Sequence, residues 1–303
     1  MSKDSPTIWL ITDQKPGHLN QLLGLAQQLS AQIGAQYHFV NDNARLGLMT
    51  VWRGINLAPD LPTPDLIVSA GSGTQRALLA SKRFFDKPAV LLMRPNFPYA
   101  WLDAAIVPEH DSPPRRDNVL VTRGVLNHVQ PSAVRRHDSP GLVLIGGPSK
   151  HYGWDDAALV RQVQRLCSEN PAKQWLLTDS RRTPASFLAE LNKHNLPNLT
   201  CLSHLNTAPG WLVNQIAESA PVWVTPDSVS MVYEALTSGA PTGLLSLPDP
   251  VTGRIQAGLQ TLISEGRVVT FEARNELQKL DQKPPLWEAK RAASWLAERF
   301  FPR

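Results

Sequence analysis

The stretch PVWVTPDSVSMVYEALTSG, residues 221–239, predicts the fold of this protein. Its first half is a short apolar run that stops at Thr225 and Pro226, which is typical of a buried strand followed by a turn. Its second half carries apolar residues at helical spacing and stops at Gly239, the residue type that most often terminates a helix. A strand, a turn and a helix in this order are the repeating unit of a parallel sheet covered by helices.

The same alternation recurs in both directions along the 303 residues. Runs such as TIWLIT (7–12) and AVLLM (89–93) predict strands in the first half, and GLVLIGG (141–147) begins a second series. The stretch between the series, residues 107–141, is rich in proline and turn residues and shows little periodicity. We therefore place a domain junction near residues 130 to 140.

The sequence thus predicts an α/β protein of two Rossmann-like, parallel-sheet domains facing a cleft. We expect residues 1–135 to form an acceptor-side domain and residues 136–303 to form a nucleotide-sugar-binding domain. The amphipathic last helix, about 287–301, is expected to pack back on the first domain.

Composition limits the possible classes of protein. Hydrophobic residues make up 42% and charged residues 18%, and no apolar run approaches the ~18 to 20 residues that span a bilayer. The start of the chain lacks the apolar region of a secretory signal, so we expect a cytoplasmic location. The net charge of +4 comes without basic runs, which disfavours nucleic-acid binding. The mildly basic first half favours a phosphorylated acceptor or peripheral association with an anionic inner membrane, with an ordinary solvated surface as the alternative.

The strongest candidate site follows the strand at 221–225, because ligands of open α/β sheets bind at the carboxyl ends of strands. Asp227 or Ser228 is a suitable N-cap, and Ser230 and Met231 lie in the first helical turn, where amides and hydroxyls bind phosphate. Glu234 lies one turn deeper on the face of Ser230, where a carboxylate can accept both hydroxyls of a ribose. The alternative is a capped helix with a surface glutamate.

Four segments, in order, carry a resemblance to a known family: DQKPGHLNQ (13–21), IGGPSKHYGW (145–154), LLTDSRRTP (176–184) and DSVSMVYEALTSGAP (227–241). The last resembles the donor-binding motif of GT-B glycosyltransferases. The whole chain resembles the bacterial GT-B glycosyltransferase family related to the plant mitochondrial-fission (elongated-mitochondria) proteins. This resemblance implies sugar transfer from a nucleoside diphosphate sugar, without a metal or other cofactor. A lipid-linked or lipopolysaccharide acceptor is a further expectation. The alternative within the family is a non-catalytic scaffold that recruits fission machinery.

Two of the motifs add donor-side candidates at strand ends. The glycines of the second motif would offer backbone N–H groups to a diphosphate, and Lys150 and His151 would supply charge to the leaving group. Adjacent arginines in the third motif suit phosphate. A tight strand–helix turn and a solvated loop are the respective alternatives. The donor-side candidates outside the helix are Gly146, Gly147, Ser149, Lys150, His151, Thr178, Asp179, Ser180 and Arg181.

The first motif supplies the catalytic candidates. His18 lies at a predicted helix start, where it could act as general base toward an acceptor hydroxyl or bind an acceptor phosphate. Asp13 and Lys15 are alternatives as base and charge stabiliser, and a plain loop histidine is the non-catalytic alternative. The acceptor-side candidates are Gly17, Asn20, Gly71, Ser72, Gly73 and Thr74.

Three other patterns give weaker indications. AGSGTQR (70–76) has Arg76 where a dinucleotide fingerprint needs its third glycine, and the chain has no Tyr-x-x-x-Lys pair, which disfavours a nucleotide-sugar epimerase or dehydrogenase. The eight histidines show no metal-ligand spacing, so no metal site is expected. RPNFPYAWL (94–102) is either an acceptor or membrane surface, or aromatic core packing.

Overall fold

The computed structural model describes residues 5–42, 46–132, 138–208 and 210–302. The chain forms two compact units. The first unit comprises Met1–His128 together with Trp287–Arg303, and the second unit comprises Val129–Leu286. The boundary lies a few residues before the one expected from the sequence.

The first unit is built on six parallel strands in the order β2-β1-β3-β4-β5-β6. Its strands are β1 (Thr7–Thr12), β2 (Gln36–Asn41), β3 (Leu66–Ala70), β4 (Ala89–Leu92), β5 (Ala104–Pro108) and β6 (Val119–Thr122). Its α-helices are α1 (Pro16–Ile33), α2 (Leu48–Arg53), α3 (Gln75–Phe85) and, at the end of the chain, α9 (Glu288–Phe300). Strands β3, β4 and β5 are buried at every position, as expected of a parallel sheet covered on both faces.

Helix α1 connects the sheet to the last helix of the chain. It begins at Pro16, whose fixed φ suits the first helical position, and it ends at Gly34, whose φ is +69°. Helix α9 packs against α1, and the Ser294 hydroxyl donates a hydrogen bond of 3.0 Å to the Gln32 side chain. The apolar residues that α1 and α9 contribute to one shared core are Leu22, Leu25, Ala26, Leu29, Ala292, Ala293 and Leu296.

The second unit repeats the architecture with strand order β12-β11-β10-β7-β8-β9, again all parallel. Its strands are β7 (Gly141–Leu144), β8 (Trp175–Thr178), β9 (Leu199–Leu202), β10 (Val222–Val224), β11 (Thr242–Leu244) and β12 (Val269–Thr270). Its α-helices are α4 (Asp156–Glu169), α5 (Ala185–Asn192), α6 (Trp211–Glu218), α7 (Val229–Ser238) and α8 (Arg254–Ser264). The prediction of two parallel α/β domains is confirmed.

Each sheet has a point where the strand order reverses. In the first unit the chain goes from β1 to β2 on one side and to β3 on the other, so the reversal lies between β1 and β3. In the second unit it lies between β7 and β10. Loops leave in opposite directions at such a point, and the gap that they leave at the carboxyl ends of the strands is the usual ligand site of open α/β sheets.

Candidate functional site

The loop between β1 and α1 places two ionisable side chains at the reversal point of the first sheet. His18 lies in the first turn of α1, and its Nδ1 is 2.7 Å from Oδ1 of Asp13. Both side chains are largely buried, with 16% and 15% of their surface exposed. The predicted residues Asp13 and His18 are therefore brought into direct contact.

The electrostatics of this pair favour an ionised aspartate. Burial acts to raise the pKa of Asp13, but hydrogen bonds from His18 and Lys15 outweigh it and hold that pKa below its ordinary value. The ammonium of Lys15 lies 3.0 Å from Oδ2. An ionised Asp13 accepts a hydrogen bond from the Nδ1–H group of the imidazole, so the neutral form of His18 carries its free lone pair on Nε2. This tautomer is the one that a histidine needs to act as a base through Nε2.

The loop after β3 closes against the same pair. Gly71 has a φ of +92°, and a Cβ at this position would lie 2.2 Å from Cε1 of His18. A Cβ at Gly73 would lie 3.6 Å from Oδ2 of Asp13. The predicted acceptor-side residues Gly71 and Gly73 thus lie beside the His18–Asp13 pair, and the absence of a side chain at Gly71 is what leaves room for the imidazole.

The other acceptor-side candidates have different surroundings. Ser72 is exposed, while the buried Thr74 donates to the carbonyl of Ala70 at 3.0 Å and stabilises the turn. At Gly17, no described atom lies within 4 Å of a Cβ position, so nothing in the described protein requires a glycine there. Asn20 accepts a hydrogen bond of 2.9 Å from the amide of His128, which holds that segment against α1.

In the second unit, the loop after β7 is bound by the loop after β10. The amide of Gly146 donates to Oγ1 of Thr225 at 2.7 Å, and the amide of Gly147 donates to Oδ2 of Asp227 at 2.9 Å. The expectation that these two amides face a diphosphate is therefore wrong, because each already donates within the protein. The glycines are needed for close approach: a Cβ at Gly146 would lie 2.3 Å from the Asp227 carboxylate.

Asp227 is the centre of this contact. Its side chain is completely buried, and Oδ2 also accepts a hydrogen bond of 2.7 Å from Nη2 of Arg182. Within the described residues, Oδ1 has no hydrogen-bond partner. Of the two N-cap candidates, Ser228 holds the position and Asp227 does not, and the Ser228 side chain makes no capping hydrogen bond. The carboxylate instead lies just before the amino terminus of α7, where the helix dipole favours negative charge.

Helix α7 itself has the predicted bounds and polarity. Ser230 is exposed in its first turn, and Met231 is half-buried against the core of the second unit. Glu234, one turn further, is only 9% exposed. At the amino-terminal end of α7, the exposed Ser230 thus lies among first-turn amides that have no partner within the helix.

The loop after β8 is mostly structural. The Ser180 hydroxyl donates to the carbonyl of Gly146 at 2.8 Å, and Thr178 is buried. Asp179 accepts hydrogen bonds from the amide and the ring Nδ1 of His204, at 2.6 and 2.9 Å. Of the arginine pair, Arg182 makes the Asp227 contact, and Arg181 is exposed.

The remaining second-motif residues form a turn closed by a bridge between Ser149 and Tyr152. The amide of His151 donates to Oγ of Ser149 at 3.1 Å, and Lys150 is exposed. Tyr152 is largely buried, and burial together with the nearby charge of Asp227 raises its pKa. Arg182, one of the two arginines predicted to bind phosphate, instead binds Asp227. His204 was not predicted as a site residue, since its partner Asp179 lies 25 positions earlier in the chain.

The described residues hold no group of three or more His, Cys, Asp or Glu side chains placed to share a metal ion. Among the helices that the structure describes, none combines the length and the apolar character needed to cross a bilayer.

The two parallel sheets, with their loops at the two reversal points, define a GT-B-like protein. Its fold is similar to that of a Listeria monocytogenes protein described as a UDP-N-acetylglucosamine 2-epimerase, with a TM-score of 0.65, 14% identity, and coverage of 96% of this chain and 94% of that one. MurG of Acinetobacter baumannii is similar with a TM-score of 0.55, 15% identity, and coverage of 97% and 99%. The chain belongs to the mitochondrial fission ELM1 family, whose model matches residues 16–300.

One relative is similar over nearly its whole length. Uncharacterized protein RP120 of Rickettsia prowazekii (strain Madrid E) is 26% identical over 344 aligned residues, which cover 94% of this chain and 96% of that protein. The UDP-GlcNAc 2-epimerase of Neisseria meningitidis, solved with UDP-GlcNAc bound, shares the fold with a TM-score of 0.56 and 11% identity, and coverage is 99% of this chain and 100% of that one. Because epimerases occur on this fold, the lack of a dinucleotide fingerprint does not by itself disfavour an epimerase.

Proposed function

We propose that this protein is a glycosyltransferase that moves a sugar from a nucleoside diphosphate sugar to an acceptor hydroxyl. The observation that supports the proposal most directly is the His18–Asp13 pair, a buried base and its orienting carboxylate at the reversal point of the first sheet. Gly71, whose φ is positive, leaves room for the imidazole beside Asp13.

In this proposal the donor binds at the amino-terminal end of α7. The free helix amides and the Ser230 hydroxyl receive a phosphate group, and Arg182, 44% exposed, adds positive charge nearby. Glu234 binds the ribose hydroxyls. The amides of Gly146 and Gly147 take no part, because they are used within the protein.

The chemical step uses the first unit. Nε2 of His18 takes the proton of the acceptor hydroxyl while the hydroxyl oxygen forms a bond to the anomeric carbon of the donor sugar. The bond from that carbon to the diphosphate oxygen breaks, and the nucleoside diphosphate leaves with the electron pair, stabilised by the α7 amides. Asp13 is a positioning residue that also stabilises the imidazolium, which returns its proton to solvent. No metal or other cofactor takes part in this proposal. Its acceptor is a lipid-linked or lipopolysaccharide molecule.

Calorimetry with UDP, GDP, ADP and their sugar conjugates tests the donor site. We expect one nucleoside diphosphate to bind, and Glu234→Gln or Ser230→Ala to weaken its binding about tenfold or more, since each removes a direct ligand hydrogen bond. Glu218→Gln, at an exposed glutamate of α6, is the matched control and should bind as the unmodified protein does. Binding of none of the nucleotides, or equal binding by all variants, would refute the donor assignment.

A product assay separates transfer from epimerisation. The protein is incubated with the donor that binds, with and without a lipid extract as acceptor source. Transfer predicts release of the nucleoside diphosphate only when acceptor is present, and His18→Ala should abolish release while leaving donor affinity unchanged. Conversion of the donor sugar to its epimer without acceptor would overturn the proposal in favour of an epimerase.

A second function, a non-catalytic scaffold, is favoured by one observation. The buried carboxylate of Asp227 already occupies the region at the start of α7 where an anion is stabilised. In a scaffold this carboxylate would replace the phosphate permanently. If neither the unmodified protein nor Asp227→Asn binds any nucleoside diphosphate, the scaffold is the better description.

A further inference from the structure

Helix α2 presents an unusual apolar surface. Leu48, Met49 and Trp52 are 76%, 65% and 72% exposed, and their spacing places them together on one side of the helix. Phe84 of α3 is 52% exposed, and its backbone lies against Gly54 at the end of α2. We call these four large side chains, Leu48, Met49, Trp52 and Phe84, the α2 surface.

The α2 surface is held in place by the backbone rather than by a core of its own. None of the residues of α2 is buried. A Cβ at Gly54 would lie 2.8 Å from the amide nitrogen of Phe84, so the end of α2 packs closely on α3. Arg76 donates from Nη1 to the carbonyl of Leu46 at 2.9 Å, which fixes the start of α2. The apolar side chains therefore point outward from an anchored helix.

The charged residues of the two helices that form this surface are all basic, and the exposed Asp86 follows α3 at its carboxyl end. Helices α2 and α3 carry Arg53, Arg76, Lys82 and Arg83 and contain no acidic residue. The three arginines are exposed. Lys82 is paired with Asp103 at 2.8 Å, so the arginines supply the outward charge. Leucine, methionine and tryptophan beside arginine are the combination that enters the interface of an anionic bilayer.

We propose that the α2 surface docks on an anionic phospholipid membrane. The apolar side chains enter the headgroup region, and Arg53 and Arg83 bind lipid phosphates. A second copy of the chain is a poorer partner, because a symmetric contact would place these arginines opposite each other. This binding goes beyond sugar transfer and needs no donor. Under the proposed function it would bring the His18 unit to a lipid-anchored acceptor.

The aromatic run at 94–102 is not this surface. Phe97 stacks on Trp101 with ring centres 5.7 Å apart, and Phe97 and Tyr99 pack against the core of the first unit. Of the three aromatic residues, only Trp101 is mostly exposed. Core packing, the alternative given for this run, therefore describes two of its three aromatic side chains.

Vesicle co-sedimentation tests the proposal with the full chain and no nucleotide. Vesicles of phosphatidylcholine alone are compared with vesicles of phosphatidylcholine and phosphatidylglycerol. We expect binding to the anionic vesicles only, and Leu48→Ser/Met49→Ser/Trp52→Ser should abolish it. The matched control is Leu205→Ser/Val251→Ser, which removes two exposed apolar side chains from the second unit, 81% and 52% exposed, and should leave binding unchanged.

A charge variant keeps the test valid if the serine variant folds poorly. Arg53→Gln/Arg83→Gln leaves the apolar residues intact and should lower the partition coefficient roughly fivefold per arginine. Arg161→Gln/Lys279→Gln, at exposed positions of the second unit, should have no effect. Equal binding by the α2 variants and the controls would overturn the proposal. A second pair of results would also overturn it: the unmodified protein binds no vesicles, and the serine substitutions convert it from a dimer to a monomer. Those results would assign the α2 surface to self-association.

Discussion

Replacing Gly71 by alanine puts a methyl group where the imidazole of His18 lies. The added Cβ would be 2.2, 2.5 and 2.9 Å from Cε1, Nδ1 and Nε2, whereas ordinary contact begins at 3.4 Å. The ring must retreat by roughly 1 Å, which the hydrogen bond of 2.7 Å to Asp13 does not survive in its present geometry. The φ of +92° adds strain of about 1–3 kcal/mol for a residue with a side chain.

Two measurements follow from these distances. The free energy of unfolding at neutral pH should fall by about 1–3 kcal/mol, seen as a lower urea midpoint. Under the proposed function, sugar transfer should fall by about a hundredfold or more, because His18 loses the carboxylate that fixes its tautomer. Nitrogen NMR of the His18 ring reports the tautomer directly. The spectrum should change from that of a ring with its proton on Nδ1 to that of a mixture of the Nδ1 and Nε2 tautomers.

The pH dependence gives an independent check. The pKa of Asp13 is lowered in the folded protein, so its contribution to stability is complete above the ordinary value of 3.8 and is lost as the pH falls through the lowered value. Gly71→Ala disrupts the hydrogen bond between His18 and Asp13, so this variant should lose less stability as the pH falls. Gly73→Ala is the matched control, since its Cβ would lie at an ordinary 3.6 Å from Asp13. If Gly71→Ala keeps the Nδ1 tautomer and behaves like Gly73→Ala, the reasoning about this pair is wrong.

Three further predictions concern other parts of the chain. Asp227→Asn removes a buried charge from the start of α7 and should lower the free energy of unfolding by about 1–3 kcal/mol, because the charge-assisted hydrogen bond to Arg182 is lost. Calorimetry should show tighter binding of a nucleoside diphosphate, since a negative charge near the phosphate is gone. Weaker binding would mean that the carboxylate helps to hold the donor. Gly24→Ala places a Cβ 2.1 Å from the carbonyl oxygen of Asn127 and should lower the free energy of unfolding, measured with urea, by about 2 kcal/mol or more. The control Gly258→Ala has no neighbour within 4 Å of its Cβ and should stabilise α8 slightly. Equal effects of the two substitutions would contradict the packing argument. Hydrogen bonding to Arg274 lowers the pKa of Glu169 from 4.5 to about 2, so the wild-type protein should lose stability as the pH falls between those values. Glu169→Gln should reduce this loss by a small amount, because the glutamate side chain is 37% exposed. An unchanged dependence of stability on pH would show that solvent screens the pair completely.

Much of the fold can be predicted from local sequence pattern, because the spacing of apolar residues indicates buried strands and half-buried helices. TIWLIT was predicted as a strand and has the bounds of β1. Two elements of the first unit escaped this reasoning. Strand β6 is an edge strand in a proline-rich stretch and exposes Val121, and α2 directs its apolar residues outward, so neither shows the pattern of a buried face.

The candidate site was predictable only in part. The carboxyl ends of strands can be found from sequence, so Asp13, His18 and the loop at Gly71 are all candidates on the acceptor side. Their direct contact comes from the structure. Whether an amide is free depends on residues far away in the chain: Gly147 is bound by Asp227, 80 positions later. Spacing within one motif carries no information on such a contact, so the sequence alone predicts a phosphate site at the glycine loop.

The return of α9 to the first unit affects how the protein is made. A ribosome delivers β1 to β6 and α1 early, then the whole second unit, and only then the helix that covers α1. The apolar face completed by Ala292 and Leu296 stays open throughout that interval. The second unit is a continuous segment and can complete its folding first. The first unit, although it is synthesised first, is therefore the last to reach its final stability.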